Sequence, residues 1–398
     1  MILDKLFQLM SEKKASDLFI SAGVPIHMKI QGYTTPVNQQ VMTSAMIEKI
    51  ANELMTPEQA KVFETTMEMN LSFGVPKVGN FRINLFRQRS SISIVVRFVL
   101  GNIPALDTLN LPPILAELVM EKRGLILIVG ATGSGKSTTI ASMLDYRNAN
   151  RSGHILTIED PIEFLFKHKK SIVNQRELGM DTLGWSEALK NAMRQAPDCI
   201  LIGEIRDRET MQSAIAYAQT GHLCLATLHA NNSYHALNRI INFFPLENRT
   251  ALYLDLSASL KAIVSQRLVA RADGLRIPAV EVLLNTRHVQ ELIERGEVLS
   301  IKEAMEQSLA QGSQTFEQDL FRLYSDGVIT LDEALDNADS PTNLSWLINN
   351  SGIDLKKKSE AKADPALEFA ETDDEGTSFK EFSLNLNETR DSESIYAH

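Results

Sequence analysis

The stretch VGATGSGKST, residues 129–138, combines residue types and spacing that suit phosphate binding. It matches G-x-x-x-x-G-K-[ST], in which glycines let backbone N–H groups close around phosphate oxygens, the lysine reaches the outer phosphates, and the hydroxyl can ligate Mg²⁺. The apolar run LILIV before it and a helical pattern from Lys136 predict a strand-loop-helix unit, whose helix N-terminus adds positive charge. The predicted phosphate ligands are Gly130, Thr132, Gly133, Ser134, Gly135, Lys136, Ser137 and Thr138.

Two further segments place carboxylates where strands are predicted to end. TIEDPIEF contains Glu159 and Glu163, and CILIGEIRD contains Glu204. Hydrolysis of a bound nucleotide needs a carboxylate to hold or deprotonate water, and in an open α/β sheet ligands bind at the carboxyl ends of strands. Both segments are therefore predicted to face the nucleotide, although Gly203 stands where an aspartate usually precedes the strand-ending glutamate.

The segment TGHLCLATLHA places His222 and His229 on either side of an apolar run. If the run is one strand, the two residues lie about 23 Å apart and cannot share a metal ion. His229 ends a strand of the sheet that carries the phosphate loop, where an imidazole can sense the γ-phosphate or hold a carboxylate. For His222 a structural role is an equally good interpretation.

The length of 398 residues predicts two or three domains, and 44% hydrophobic residues is ordinary for a globular protein. No apolar run is long enough to cross a bilayer, and MILDKLFQLMSEKK predicts an amphipathic helix rather than a signal peptide, so a cytoplasmic protein is expected. Cys199 and Cys224 lie in apolar runs, which favours buried thiols over a disulfide or zinc site.

The net charge of -10 is concentrated near the C-terminus, where residues 359–398 contain eleven acidic and three basic side chains. The remaining body is close to neutral and lacks the basic surface that a phosphate backbone requires, so nucleic-acid binding is not expected. The patch KHKK, residues 167–170, is interpreted as a solvated loop.

Composition and periodicity divide the chain into five segments. Strand and helix signals are mixed over residues 1–100, which predicts a small α+β domain, and the proline-containing residues 101–113 are the predicted linker. Apolar strands alternate with helices over residues 114–285, which predicts a largely parallel sheet. Short helices follow over residues 286–350, and the acidic tail, residues 351–398, is predicted to be disordered.

Four segments in order, GATGSGKST, TIEDPIEF, ILIGEIRD and TGHLCLATLHA, give the chain a recognisable pattern. Over residues 1–345 it resembles the secretion-ATPase superfamily, specifically the PilT and PilU family of type IV pilus retraction motors, and more closely the PilU members. The resemblance implies an α/β fold: a RecA-like P-loop ATPase core, a small PAS-like N-terminal α+β domain and a helical C-terminal region.

The resemblance also implies cofactors and roles. ATP and Mg²⁺ are the expected cofactors, with Ser137 and Glu204 on the metal, the latter directly or through water. Glu163 is the expected general base. Arg82 and Arg97 match family arginines that approach the phosphates, although alone they would be interpreted as surface charge. His222 and His229 match the histidine box, as nucleotide-state sensors or subunit couplers.

The family implies a homo-hexamer that removes pilin at the base of the pilus, on the cytoplasmic face of the inner membrane. The implied partners are a paralogous retraction ATPase and the inner-membrane pilus platform protein, with no insertion into the membrane. The stretch RHVQELIERGEV, residues 287–298, lacks two arginines of the main retraction motors, which together with the acidic tail favours an accessory retraction ATPase.

Three alternatives stay open. A pilus-extension or type II secretion ATPase usually has a larger N-terminal region and often a four-cysteine zinc insertion, and this chain has neither. A nucleotide-binding scaffold without turnover is disfavoured by Glu163 and Glu204 together. A DNA-translocating ATPase is disfavoured by the charge.

Overall fold

Two units make up the described part of the chain, divided between Gly101 and Asn102. The computed structural model describes residues 3–30, 32–76, 78–99, 102–308 and 310–351. Nearly all of the predicted acidic tail, residues 352–398, lies outside the described residues. Each unit has its own hydrophobic core and is described by itself.

The N-terminal unit is built on a six-stranded sheet in the order β3-β2-β1-β6-β5-β4, with all neighbours antiparallel. Its strands are Asp17–Ile20 (β1), Pro25–Ile30 (β2), Tyr33–Val41 (β3), Glu68–Val75 (β4), Gly79–Gln88 (β5) and Ser91–Val99 (β6). Its helices are Asp4–Glu12 (α1), Ser44–Leu54 (α2) and Pro57–Thr66 (α3). Thr43 caps α2, accepting a hydrogen bond from the Met46 amide at 3.3 Å.

Strands β5 and β6 form a hairpin joined at Arg89 and Ser90, whose φ angles are 45° and 61°. Positive φ at both central residues matches the twist of the flanking strands. Phe7 of α1 stacks on Phe81 of β5 with ring centroids 4.3 Å apart, so the helix covers the apolar face of the hairpin. The expected α+β character of this segment is confirmed by these elements.

The second unit contains a seven-stranded sheet in the order β13-β12-β7-β11-β10-β8-β9. Only the β12 and β13 pair is antiparallel, so the predicted, largely parallel sheet is confirmed. Its strands are Gly124–Val129 (β7), Gly153–Glu159 (β8), Ser171–Glu177 (β9), Cys199–Ile202 (β10), Leu223–Leu228 (β11), Leu260–Ala270 (β12) and Arg276–Leu284 (β13). Every residue of β7 and β10 is buried, as the continuous apolar runs predicted.

Helices cover both faces of this sheet and continue beyond its last strand. They are Ile114–Met120 (α4), Lys136–Asn150 (α5), Trp185–Ala192 (α6), Arg208–Gln219 (α7), Ser233–Asn242 (α8), Arg249–Ser259 (α9), Arg287–Arg295 (α10), Ile301–Glu306 (α11), Phe316–Ser325 (α12), Leu331–Asp336 (α13) and Pro341–Asn350 (α14). Helices α12 to α14 share a small core with β12 and β13, centred on Phe316, Leu320 and Leu344. The C-terminal helices are thus packed on the edge of the sheet formed by β12 and β13.

In the described residues, no helix combines the length and the apolar composition that crossing a bilayer requires.

Candidate active site

A cavity of about 240 Å³ opens at the carboxyl edge of the parallel sheet, where β7, β8, β10 and β11 end. It brings together the phosphate loop, both acidic segments and one of the two histidines. Its polar and loop lining includes Thr132, Gly133, Lys136, Ser137, Glu159, Asp160, Glu163, Gly203, Glu204, Thr227 and His229. These residues come from segments separated by up to about a hundred positions, and parallel strand ends assemble them at one edge.

The phosphate loop connects the buried strand β7 to α5. Gly130 has φ 154°, and a Cβ there would lie 2.5 Å from the backbone oxygen of Gln266, so the loop closes only with glycine at this position. The Lys136 ammonium donates to the carbonyl oxygens of Gly130 and Ala131, both at 2.9 Å. Burial lowers the pKa of Lys136, and the charges of Glu204 and Glu163 oppose that effect. A desolvated ammonium held at the loop is placed to bind phosphate oxygens.

Ser134 lies inside the same loop, and its hydroxyl is buried without a hydrogen-bond partner among the residues that the structure describes. A buried hydroxyl without a partner costs free energy, which a bound acceptor would recover. This feature fits a loop whose polar groups are completed by phosphate oxygens.

Glu204 follows β10 and is held on both carboxylate oxygens. Its Oε2 accepts from Arg206 Nε at 2.7 Å, and its Oε1 lies 3.5 Å from His229 Nε2. Arg206 also reaches Asp160 at 3.5 Å, which links the two acidic segments. The hydrogen bond to Glu204 is the main reason why the pKa of Arg206 is raised. Arg206 lies two residues after Glu204, and that spacing is the sequence signal for this contact.

The two glutamates of the acidic segment differ in their surroundings. Glu159 is half-buried, and its Oε1 accepts from Thr157 Oγ1 at 2.6 Å and from Gln175 Nε2 at 3.2 Å. Glu163 lines the cavity and is exposed. A carboxylate on the open side of a nucleotide cavity can reach a water molecule, which suits the role predicted for Glu163.

The two histidines are separated by the full length of β11. His229 follows the strand and lines the cavity, and burial together with the charge of Lys136 lowers its pKa, while Glu204 opposes that effect. His222 precedes the strand, where its carbonyl oxygen accepts from the amide of Gly124, the first residue of β7. The phosphate loop lies at the other end of β7. The strand direction therefore puts His222 at the opposite edge of the sheet from the phosphate loop of its own chain, and its predicted role in nucleotide binding stays a prediction.

The ring of His222 has a structural environment instead. Its Nδ1 lies 3.1 Å from Thr220 Oγ1 and 3.3 Å from the carbonyl oxygen of Tyr217, both at the end of α7. These contacts fit the structural interpretation of His222. A role in subunit coupling stays a prediction.

Arg82 and Arg97 lie in the N-terminal unit, directly opposite each other on β5 and β6. Arg97 donates from Nε to Asp17 Oδ1 at 2.9 Å, and 68% of its side chain is exposed. Asp17 is bound through Nε, and most of the Arg97 side chain stays exposed to solvent. The role of both arginines toward nucleotide stays a prediction.

Sequence reasoning missed two polar residues that support the cavity. The Thr227 hydroxyl donates to the carbonyl oxygen of Gly203, which ties the ends of β11 and β10 together. Gln266 of β12 accepts from Thr139 Oγ1 of α5 at 2.7 Å and packs against the phosphate loop. Thr227 could have been noticed because it is a polar residue within an apolar strand. Gln266 could not, because its partner Thr139 lies 127 positions away in the sequence.

A phosphate loop at the end of a buried parallel strand, with carboxylates and a histidine at the ends of its neighbours, defines a P-loop ATPase of the secretion class. The chain belongs to the Type II/IV secretion system protein family, whose model matches residues 1–277, and within it to the type IV pilus retraction ATPases. The predicted family is thereby confirmed.

Three similar proteins support the assignment to the type IV pilus retraction ATPases. The chain is 47% identical to the type IV pilus ATPase PilU of Pseudomonas aeruginosa, over 96% of this chain and 100% of that protein. It is 37% identical to the retraction ATPase PilT of the same organism, over 86% of this chain and 100% of that one. A crystal structure of the pilus retraction motor PilT with bound ADP matches with a TM-score of 0.81 and 40% identity, over 87% of this chain and 99% of that one.

Proposed function

We propose that the chain is an ATP-hydrolysing motor that powers or assists type IV pilus retraction by removing pilin at the pilus base. The observation that carries the proposal is that Lys136, Ser137, Glu163, Glu204 and His229 line one cavity. The relatives named as pilus ATPases support the biological assignment.

The residues of the cavity have different proposed roles in ATP binding and hydrolysis. Lys136 and the loop amides bind the phosphates of ATP, and Glu163 accepts the proton of the attacking water. Ser137 and Glu204 offer a hydroxyl and a carboxylate in the same cavity, and these oxygen donors fit Mg²⁺. When bound, Mg²⁺ neutralises charge on the phosphate oxygens. His229 holds Glu204 and responds to the outer phosphate.

The proposed assembly is a homo-hexamer in which Arg82 and Arg97 supply positive charge to the phosphates. The exposure of the Arg97 guanidinium supports a role toward an anion outside its own pair with Asp17. The proposed partners are a paralogous retraction ATPase and the pilus platform protein, at the cytoplasmic face of the inner membrane.

Steady-state ATP hydrolysis by the purified chain, with native mass recorded on the same samples, tests the proposal. Wild type is expected to turn over as a hexamer, whereas Glu163→Gln and Glu204→Gln are expected to bind ATP and to lose at least about 100-fold in kcat. Nucleotide binding by wild type without turnover, alone and with the paralogous ATPase, would instead identify a scaffold. Stimulation of turnover by DNA would favour a translocase.

A further inference from the structure

Three consecutive residues of β12 connect the phosphate loop to other parts of the second unit. Ser265 pairs in register with Val129, the last residue of β7 before the loop. Gln266 accepts from Thr139 behind the loop. Arg267, the next residue, extends toward the segment that follows His229. One short stretch of strand thus contacts both the helix that begins at the phosphate loop and the segment that follows His229.

The Arg267 guanidinium is fixed by contacts on several sides. It forms an ion pair with Asp339 and donates to the carbonyl oxygens of Asn337 and, at 3.2 Å, of Asn231. It also lies 4.0 Å from the centroid of the Phe316 ring. Only 22% of the Arg267 side chain and 17% of the Asp339 side chain are exposed, so this pair is much less screened than a surface ion pair.

Asp339 completes the connection to the same segment. Its Oδ2 accepts from Asn232 Nδ2 at 2.6 Å, and Asn232 is the N-cap of α8, with its Oδ1 accepting from the His235 amide at 2.9 Å. The ion pair therefore binds the two residues that lie two and three positions after His229. Through Asn231 and Asn232 these contacts restrict the end of the segment 229–232, whose first residue, His229, is also bound at its carbonyl oxygen by Arg239 at 2.9 Å.

The other side of Asp339 is the C-terminal helical region. Ser340 follows it and caps α14, and the Ser340 amide donates to Glu317 Oε1 of α12 at 2.8 Å. Helix α14 carries Trp346, which is 64% exposed. A displacement of the segment 229–232 would therefore act on the start of α14 through Asp339.

We propose that Arg267 and Asp339 are positioning residues for His229, and that their pair transmits the nucleotide state of the cavity to α14. The inference rests on the proposed function, because it assumes that ATP binds in the cavity. It adds a route by which hydrolysis changes the surface of α14, which does not line the cavity. The two parts are coupled because the Asp339 carboxylate accepts from Asn232 at Oδ2 and pairs with Arg267 at Oδ1.

The two tryptophans of the chain offer separate reporters for the two ends of this route. Trp185 lies beside Gly203 at the cavity edge, its ring 3.5 Å from where a Cβ of that glycine would be. Trp346 lies on α14. In a Trp185→Phe background the fluorescence reports α14 alone, and in a Trp346→Phe background it reports the cavity alone. Titration with ATP and Mg²⁺ is expected to change both signals in the otherwise wild-type chain.

Asp339→Asn is the deciding variant. It is expected to reduce the ATP-induced change of Trp346 at least about fivefold while the Trp185 titration keeps its midpoint within about threefold. It is also expected to lower kcat about tenfold with little change in KM, since binding is retained and positioning is lost. Asp339→Glu, which keeps the charge, should recover part of both responses.

Matched variants separate this role from general damage to the fold. Asp336→Asn removes an exposed carboxylate three positions earlier and should leave both signals and kcat unchanged. Arg267→Lys keeps the positive charge but cannot reach Asn231, Asn337 and Asp339 together, so it should reproduce the Asp339→Asn result with an unchanged circular dichroism spectrum.

A Trp346 response of full amplitude in Asp339→Asn, or no Trp346 response in a chain whose Trp185 responds, would overturn the inference and leave the proposed function intact. Absence of any Trp185 response and of ATP turnover in the wild-type chain would overturn both.

Discussion

His229 Nε2 lies 3.5 Å from Glu204 Oε1, and the two residues follow the neighbouring parallel strands β11 and β10. The other oxygen of Glu204 is bound by Arg206. The carboxylate is therefore contacted by a histidine through one oxygen and by an arginine through the other. A change in the position of His229 would therefore alter its contact with the Glu204 carboxylate directly.

Replacing His229 by Gln is expected to lower kcat about 10- to 100-fold, the usual effect of removing a group that orients a functional carboxylate. His222→Gln is the matched control from the other end of β11, and it should leave the ATP affinity of the chain unchanged. Steady-state hydrolysis and isothermal titration with ATP measure both effects. Equal losses of ATP affinity in the two variants would contradict the separation of the histidines.

The glycines of the phosphate loop are expected to differ in their tolerance of a side chain. At Gly130 a Cβ would meet Gln266 O and Ser134 Oγ, both at 2.5 Å, whereas at Gly133, with φ 80°, there is nothing within 4 Å. Gly133→Ala should therefore cost about 1 to 2 kcal/mol through backbone strain alone. Gly130→Ala should destabilise more, since a backbone atom cannot move aside. Urea unfolding of both variants checks the order, and the reverse order would refute it.

Much of the site could be predicted because its strands are buried on both faces. The short, continuous apolar runs of β7 and β11 are typical of buried strands. The phosphate loop follows the first run and His229 follows the second. Strand β12 could not be recognised in this way because Ser265, Gln266 and Arg267 interrupt its apolar run. Their partners come from α5, β13 and the segment before α14, and no local pattern contains that information.

The assignment of His222 shows a different limit. The spacing already required the two histidines to lie at opposite ends of a strand, yet the histidine box was carried over as a whole. The direction of β11 relative to β7 decides which of them meets the phosphate loop. The pairing of β5 with β6 places Arg82 opposite Arg97. A binding partner of these arginines outside their own unit cannot be predicted from that pairing.

Both cysteines are expected to be inert in the folded protein. Burial raises the pKa of the Cys199 thiol to about 11 and the pKa of the Cys224 thiol further still. Since the thiolate is the reactive form, Ellman's reagent at pH 8 should modify neither cysteine in buffer and both in denaturant. Modification of one thiol at a rate typical of exposed cysteine would show that β10 or β11 opens in the native state.

Glu281 of β13 is a buried carboxyl beside the ion pair of Arg267 and Asp339. Its Oε1 accepts from the Ser233 amide at 2.7 Å and from Ser265 Oγ at 2.9 Å. Burial nevertheless raises its pKa above the ordinary value of 4.5, because removal from water outweighs these hydrogen bonds. The folded state thus binds a proton at Glu281 more tightly than the unfolded state does.

The sign of the pH dependence follows from that shift. Between pH 4.5 and the higher pKa of the folded state, the folded chain holds a proton at Glu281 that the unfolded chain has released. The free energy of unfolding therefore falls through this window as pH rises, and the stabilising contribution is complete only below it.

Glu281→Gln keeps an oxygen acceptor for Ser233 and removes the titration, so its stability relative to wild type should increase from pH 5 to pH 8. Urea unfolding at several pH values measures this, with the exposed Glu247→Gln as the control for loss of one charge. A constant difference between Glu281→Gln and wild type across this range would mean that Glu281 ionises in the folded chain as readily as in the unfolded one.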